Sequence, residues 1–94
     1  MDIQFNESGN RGRWHVIPEG VDEPAEMTFS RSNDQLIMLD HTFVPEAARG
    51  QGLGEALAER AVADAREKGW QIVPVCPFFK AQADRHDWGD VVKG

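Results

Sequence analysis

Tyrosine is missing from this chain altogether, and cysteine occurs once, at Cys76. A lone cysteine forms no internal disulfide, so packing must hold the fold and a reducing compartment is expected. It cannot anchor a zinc site either. His15 and His86 have no partner at ligand spacing, so no metal is expected. Basic residues are scarce, ten against sixteen acids, for a net charge of −6. A surface of that sign repels nucleic acid and anionic membranes, and neither is expected as a partner. No apolar run approaches the roughly 18 residues that cross a bilayer. The opening Met1-Asp2-Ile3-Gln4-Phe5-Asn6-Glu7 has an early acid and lacks the apolar centre of a secretory signal, so a cytoplasmic location is expected. Repeats and low-complexity stretches are absent too. What remains is 94 residues, 40% hydrophobic and 28% charged, the make-up of one ordinary globular domain over residues 1–94.

The elements that are present change character near residue 45. Ile3 and Phe5 alternate with polar neighbours, as do Trp14 and Val16, then Met27 and Phe29. Each pattern reads as a short strand with one buried face. Glu7-Ser8-Gly9-Asn10, Pro18-Glu19-Gly20 and Ser32-Asn33-Asp34 supply the turns between them. Leu36-Ile37-Met38-Leu39 is continuously apolar, as expected of a central strand covered on both faces, and the strand runs on to Val44 before Pro45 stops it. Short turns between four strands imply an antiparallel meander. From Leu53 to Lys68 the period is helical. Leu53, Leu57, Ala58, Ala61, Val62 and Ala65 fill one half of the wheel, and Gly69 is placed to cap the end. Arg60–Asp64 and Asp64–Lys68 are possible (i, i+4) ion pairs. Trp70 to Val75 reads as a fifth strand, interrupted by Pro74, and Pro77 to His86 as a last helix with proline in its first turn. Trp88 to Gly94 receives no assignment. The order β-β-β-β-α-β-α predicts an α+β fold with helices on the faces of the sheet: an antiparallel meander, then a right-handed βαβ crossover that makes strands four and five parallel, then a final helix.

Chemistry concentrates at Arg49-Gly50-Gln51-Gly52-Leu53-Gly54, between the fourth strand and the long helix. Three alternating glycines strip Cβ atoms from the backbone and permit positive φ. The first amides of the helix point into that space with the positive end of its dipole behind them. Such a loop holds an anion without net positive charge, which is how an acidic protein can bind an acidic ligand. It is no nucleotide-triphosphate loop, because Glu55 and Ala56 follow Gly54 where lysine and serine or threonine belong. Nor is it a dinucleotide fingerprint, whose last glycine would fall on Glu55 or Leu57. The alternative is a tight strand-to-helix turn and nothing more.

Arg49, Gly52 and Gly54 stand at the spacing Arg-x-x-Gly-x-Gly, and the segment resembles the pyrophosphate loop of the GNAT acetyltransferases. The likeness extends through His41-Thr42-Phe43-Val44-Pro45-Glu46 before the loop and Pro74-Val75-Cys76-Pro77-Phe78 after it. Over residues 41–92 the chain is similar to the smallest stand-alone members of that family. The resemblance implies acetyl-coenzyme A as ligand, its pyrophosphate on the amides of Arg49, Gly50, Gln51, Gly52, Leu53 and Gly54. It implies a pantetheine arm paired with the backbone near Phe43 and Val44, and a thioester in a gap where strands four and five part. Phe78 and Lys80 would flank the coenzyme. Two departures stand out. Full-length members carry two helices between their first two strands, whereas Glu7 to Gly12 leaves room for a turn only, so the acceptor site should be shallow and open. Many also use a tyrosine on the last helix as general acid, and none exists here.

Cys76 would lie at the thioester. It reads either as a nucleophile or acid there, or as a small buried hydrophobe. His41, near the end of the fourth strand, reads as a base for an amine or an activator of Cys76, or as a structural histidine. Trp14, Trp70 and Trp88 read as core, since no basic groove accompanies them. The function implied is acetyl transfer from acetyl-coenzyme A to a primary amine. The acidic surface favours a cationic acceptor such as a lysine or a polyamine. A non-catalytic acyl-coenzyme A-binding or sensing module is the alternative, and a plain interaction domain the third reading.

Overall fold

Gly9 and Asn10 turn the chain between β1 (Gln4–Ser8) and β2 (Arg11–Val16), the first hairpin of a computed structural model that describes residues 2–93. β3 (Ala25–Asn33) and β4 (Leu36–Phe43) complete the meander, and β5 (Gln71–Pro74) joins the far edge of β4. The sheet order is β1-β2-β3-β4-β5. The first three junctions are antiparallel, and β4 pairs with β5 in parallel, with Ile37 beside Ile72. The chain reaches β5 from β4 through α1 (Leu53–Lys68), and α2 (Pro77–Arg85) follows. The expected order and the parallel step are both present.

One face of the sheet is apolar. Trp14, Met27, Phe29, Ile37, Leu39 and Ile72 are fully buried against Leu57, Ala58, Ala61, Val62 and Ala65 of α1 and Phe79 of α2. The small residues let α1 lie close to the strands, and burying each large side chain contributes about 1.5–3 kcal/mol. The other face is different. Arg13, His15, Glu26, Thr28, Ser30, Leu36 and Met38 are only half-buried, and Arg13 pairs with Glu26 at 2.7 Å. Both helices share the apolar face and touch each other, so the fold has two layers. The expectation that Leu36–Leu39 is covered on both sides fails for a simple reason: two helices suffice for one face of five strands, and both are spent there.

From β2 the indole Nε1 of Trp14 donates to Asp64 Oδ2 of α1 at 2.7 Å, which satisfies the one polar atom of a fully buried ring. Arg60 pairs with Asp64 at 3.1 Å as expected. Lys68 makes no pair with Asp64. Its ammonium lies 4.7 Å from the Phe5 ring centroid and 5.0 Å from that of Trp70. Gly69 ends the helix in a left-handed conformation, φ 76°.

The tail from Trp88, which no periodicity assigns, protects the outer edge of β5. Ile72 N–H donates to Val91 O at 2.7 Å and Lys93 N–H to Ile72 O at 2.9 Å. Trp88 stacks on Phe79 and on His86. Arg66 of α1 anchors this segment through Asp90 at 2.8 Å. The hydrogen bond from Arg66 holds the Asp90 carboxyl below its usual range, against a smaller opposing effect of burial, and raises Arg66 in turn. No helix of the described residues is long and apolar enough to cross a membrane.

Candidate functional site

A bulge in β4 decides which side chains reach the site. β3 and β4 pair Phe29 with Leu39 but Thr28 with His41, so Asp40 is an extra residue on one strand. Ahead of it Ile37 and Leu39 face the helices. Beyond it the alternation inverts. Cross-strand partners share a face. Thr42 lies opposite the fully buried Met27, whereas His41 lies opposite Thr28 on the open side. Asp40 stays on the open side as well, accepting a 2.7 Å hydrogen bond from Ser30 Oγ.

The other edge of β4 is paired with β5 over Leu36–Leu39 only. Pro74 has no N–H to continue the ladder. Val75 N–H folds back to Val73 O at 3.0 Å, and Cys76 N–H then returns to Leu39 O at 2.8 Å. The ladder is thus broken at Pro74–Val75 and makes one last contact at Cys76. The expected parting of the strands begins just past Cys76, where α2 starts, and not at that residue. Beyond this point Asp40–Phe43 of β4 have no strand on that side.

Cys76 is the N-cap residue of α2 and is 3% exposed. Its Sγ lies 3.3 Å from Thr42 Oγ1. His41 does not meet it. Strict alternation from Leu39 places the imidazole on the helical face with Cys76. The bulge at Asp40 sends it, exposed, to the opposite one. The expectation that His41 activates Cys76 is therefore corrected by geometry, and the hydroxyl beside the sulfur, which the sequence reading passed over, belongs to Thr42.

The glycine segment follows Pro45 and a 3-10 turn, Glu46–Ala48, that periodicity did not signal. Gly50 has φ 87° and Gly52, the N-cap of α1, φ 75°. Both are conformations that side chains with a Cβ avoid. Ala56 N–H donates to Gly52 O at 3.0 Å as the first bond of the helix, so the amides of Leu53, Gly54 and Glu55 precede the intrahelical ladder. A Cβ added at Gly50 or Gly52 would meet no atom within 4 Å. Gly54 is different. A Cβ there would sit 2.8 Å from Phe78 Cζ, so this glycine serves the contact between α1 and α2 and not a left-handed turn.

Val44, Arg49, Gly50, Gly52, Gly54 and Phe78 line a cavity of about 260 Å³ together with the start of α1. Phe78 is 37% exposed and supplies an apolar wall. Arg49 Nε donates to Val44 O at 3.2 Å, so this carbonyl is engaged, and a ligand pairing with Val44 would use its N–H or displace the guanidinium. Leu53 belongs to this cavity and to a neighbouring one that Gln51 also lines. Phe43 lies on the open face, opposite Glu26 and outside the loop cavity. Lys80 is not brought in: its ammonium pairs with Asp84 at 2.8 Å on the outside of α2. Bare helix amides, left-handed backbone and an adjacent ring fit a ligand that is part phosphate and part apolar.

No curated protein matches this chain. Among solved structures it is similar to a GCN5-like protein from Staphylococcus aureus determined in solution by NMR, with 28% identity and a TM-score of 0.73. The alignment covers 97% of this chain and 88% of that one. The profile of the GCN5-related N-acetyl-transferase family matches residues 14–91, from within the second strand into the tail and across the whole glycine loop. On that match, with the five-stranded mixed sheet and the loop where the sequence located it, the chain belongs to the GCN5-related N-acetyltransferase family.

Proposed function

We propose that this protein transfers the acetyl group of acetyl-coenzyme A to a primary amine of a cationic acceptor. The observation that carries the reading is the left-handed pair Gly50 and Gly52 at the mouth of α1, beside unpaired helix amides and the Phe78 ring. The pyrophosphate is assigned to the amides of Gly50 to Gly54, with Arg49 as an exposed counter-charge. The pantetheine arm is assigned to the free edge of β4 at Phe43 and Val44. When bound, the coenzyme supplies the acetyl group as a thioester, an activated acyl donor.

Cys76 is the group we assign to receive the acetyl. Its backbone is fixed by Leu39 O, the last contact before β4 and β5 part. Cys76 gives up its thiol proton as its sulfur bonds the acetyl carbon, the bond from that carbon to the coenzyme sulfur breaks, and the departing thiolate takes the proton. An amine then takes the acetyl from Cys76 and returns a proton to the sulfur. We assign His41, exposed on the open face, to deprotonate an amine that approaches the acetyl group from that side. With no helices over the open face and a charge of −6, a protruding ammonium group is the acceptor the surface favours.

The test is incubation with acetyl-coenzyme A and no acceptor. One acetyl group should appear on the protein, on Cys76 after digestion, labile to hydroxylamine as thioesters are. Cys76→Ser should lose both the adduct and turnover. Turnover of an amine panel without any adduct would replace this route with direct transfer, and His41→Ala should then slow it. Binding without turnover of any amine would leave a coenzyme-sensing module.

A further inference from the structure

Among the described residues Thr42 is the one polar side chain that the hydrogen bonding brings to Cys76, at 3.3 Å from Oγ1 to Sγ, and it arrives there through a deviation from regular strand geometry. In a regular strand, with Asp40 taking its turn in the alternation, position 42 would face the open side and position 41 the helices. The bulge thus exchanges a histidine for a threonine at the sulfur. Both partners are held. Thr42 is paired with Met27 across the sheet, and Cys76 is tied by its N–H to Leu39 O. Cys76 is 3% exposed among apolar neighbours, so its sulfur has little water to orient it.

We propose that Thr42 is a positioning residue for acetyl transfer, its hydroxyl fixing the direction of the Cys76 sulfur as the proton leaves and returns. This rests on the reading of Cys76 as the group that receives the acetyl. A hydroxyl suits the task because it accepts from a thiol S–H and, after rotating, donates to the sulfur once that proton has gone. Thr42 itself gains and loses no proton. The sulfur–carbon bond forms at Cys76, the carbon–sulfur bond of the donor breaks, and the thiol proton ends on the departing sulfur. The β-branched side chain is also stiff about χ1, so the hydroxyl is held in few orientations.

Thr42→Val keeps the branched shape and removes the hydroxyl, whereas Thr42→Ser keeps the hydroxyl and removes the methyl. At saturating acetyl-coenzyme A, formation of acetyl-Cys76 should slow about tenfold in Thr42→Val and by less than about threefold in Thr42→Ser, the scale of one lost hydrogen bond. Coenzyme affinity should be unchanged in both. The infrared S–H stretch, which comes from one cysteine only, should shift in Thr42→Val and stay near its native position in Thr42→Ser. A native rate of adduct formation in folded Thr42→Val, or an unmoved S–H band, overturns the role of Thr42 while Cys76 keeps its own. Absence of the adduct from the native protein overturns both together.

Discussion

At φ 75° Gly52 holds the backbone where a β-branched residue is strained by its own Cβ, although the space around it is empty. Gly52→Val should therefore reshape the loop and leave the core intact. Acetyl-coenzyme A affinity should fall at least about tenfold, or ~1.4 kcal/mol, by calorimetric titration, with cooperative unfolding retained. Unchanged affinity would contradict the loop assignment. Arg49→Ala should weaken binding less, and the loss should shrink in high salt because an exposed charge is screened. Gly54→Ala probes packing instead, because the added carbon meets the end of the Phe78 ring. That ring is partly exposed and can turn aside, so the thermal midpoint should drop by the equivalent of about 1 kcal/mol or less. At this scale the glycine loop's place before α1 and its left-handed backbone were legible, since glycine spacing after a strand has few uses. Thr42 was not. Leu39-Asp40-His41-Thr42 contains no mark of which residue is extra, and only the pairing with β3 locates the bulge.

Among the elements, α1 was readable to the residue because its alanine and leucine stripe repeats at the helical period and Gly69 closes it. The tail was opaque for the opposite reason. Trp88, Val91 and Val92 stand at i, i+3 and i+4 but span one turn only, too little to read as an element, and their burial comes from the open edge of β5 rather than from any regular face. Its attachment should depend on pH. Asp90 is held below its usual range by the Arg66 hydrogen bond, so its folded form is favoured while the carboxyl is ionised. That contribution is present above the ordinary carboxylate range and is lost as pH falls through the lowered value. Protection of the Ile72 and Lys93 amides from hydrogen exchange should decline over that acidic interval. Asp90→Asn should show the same reduced protection at neutral pH, by a small factor because the pair is exposed. Protection that is flat across the acidic range would remove Asp90 as the anchor.

Over the whole molecule, the chain builds one apolar layer contact and leaves the second face of its sheet to half-buried polar residues. The continuous run Leu36–Leu39 pointed to a doubly covered sheet because hydrophobicity alone does not say how many helices are available to cover it. On the proposed function, the uncovered face would take the amine acceptor and the glycine loop at one end of the same sheet the coenzyme. The account stands first on that loop. Backbone amide shifts followed by NMR during titration with acetyl-coenzyme A test it most directly. The account predicts saturable changes at Gly50 through Leu57, with smaller ones at Val44 and Phe78. No saturable change in that segment, or changes confined to other parts of the chain, would contradict it.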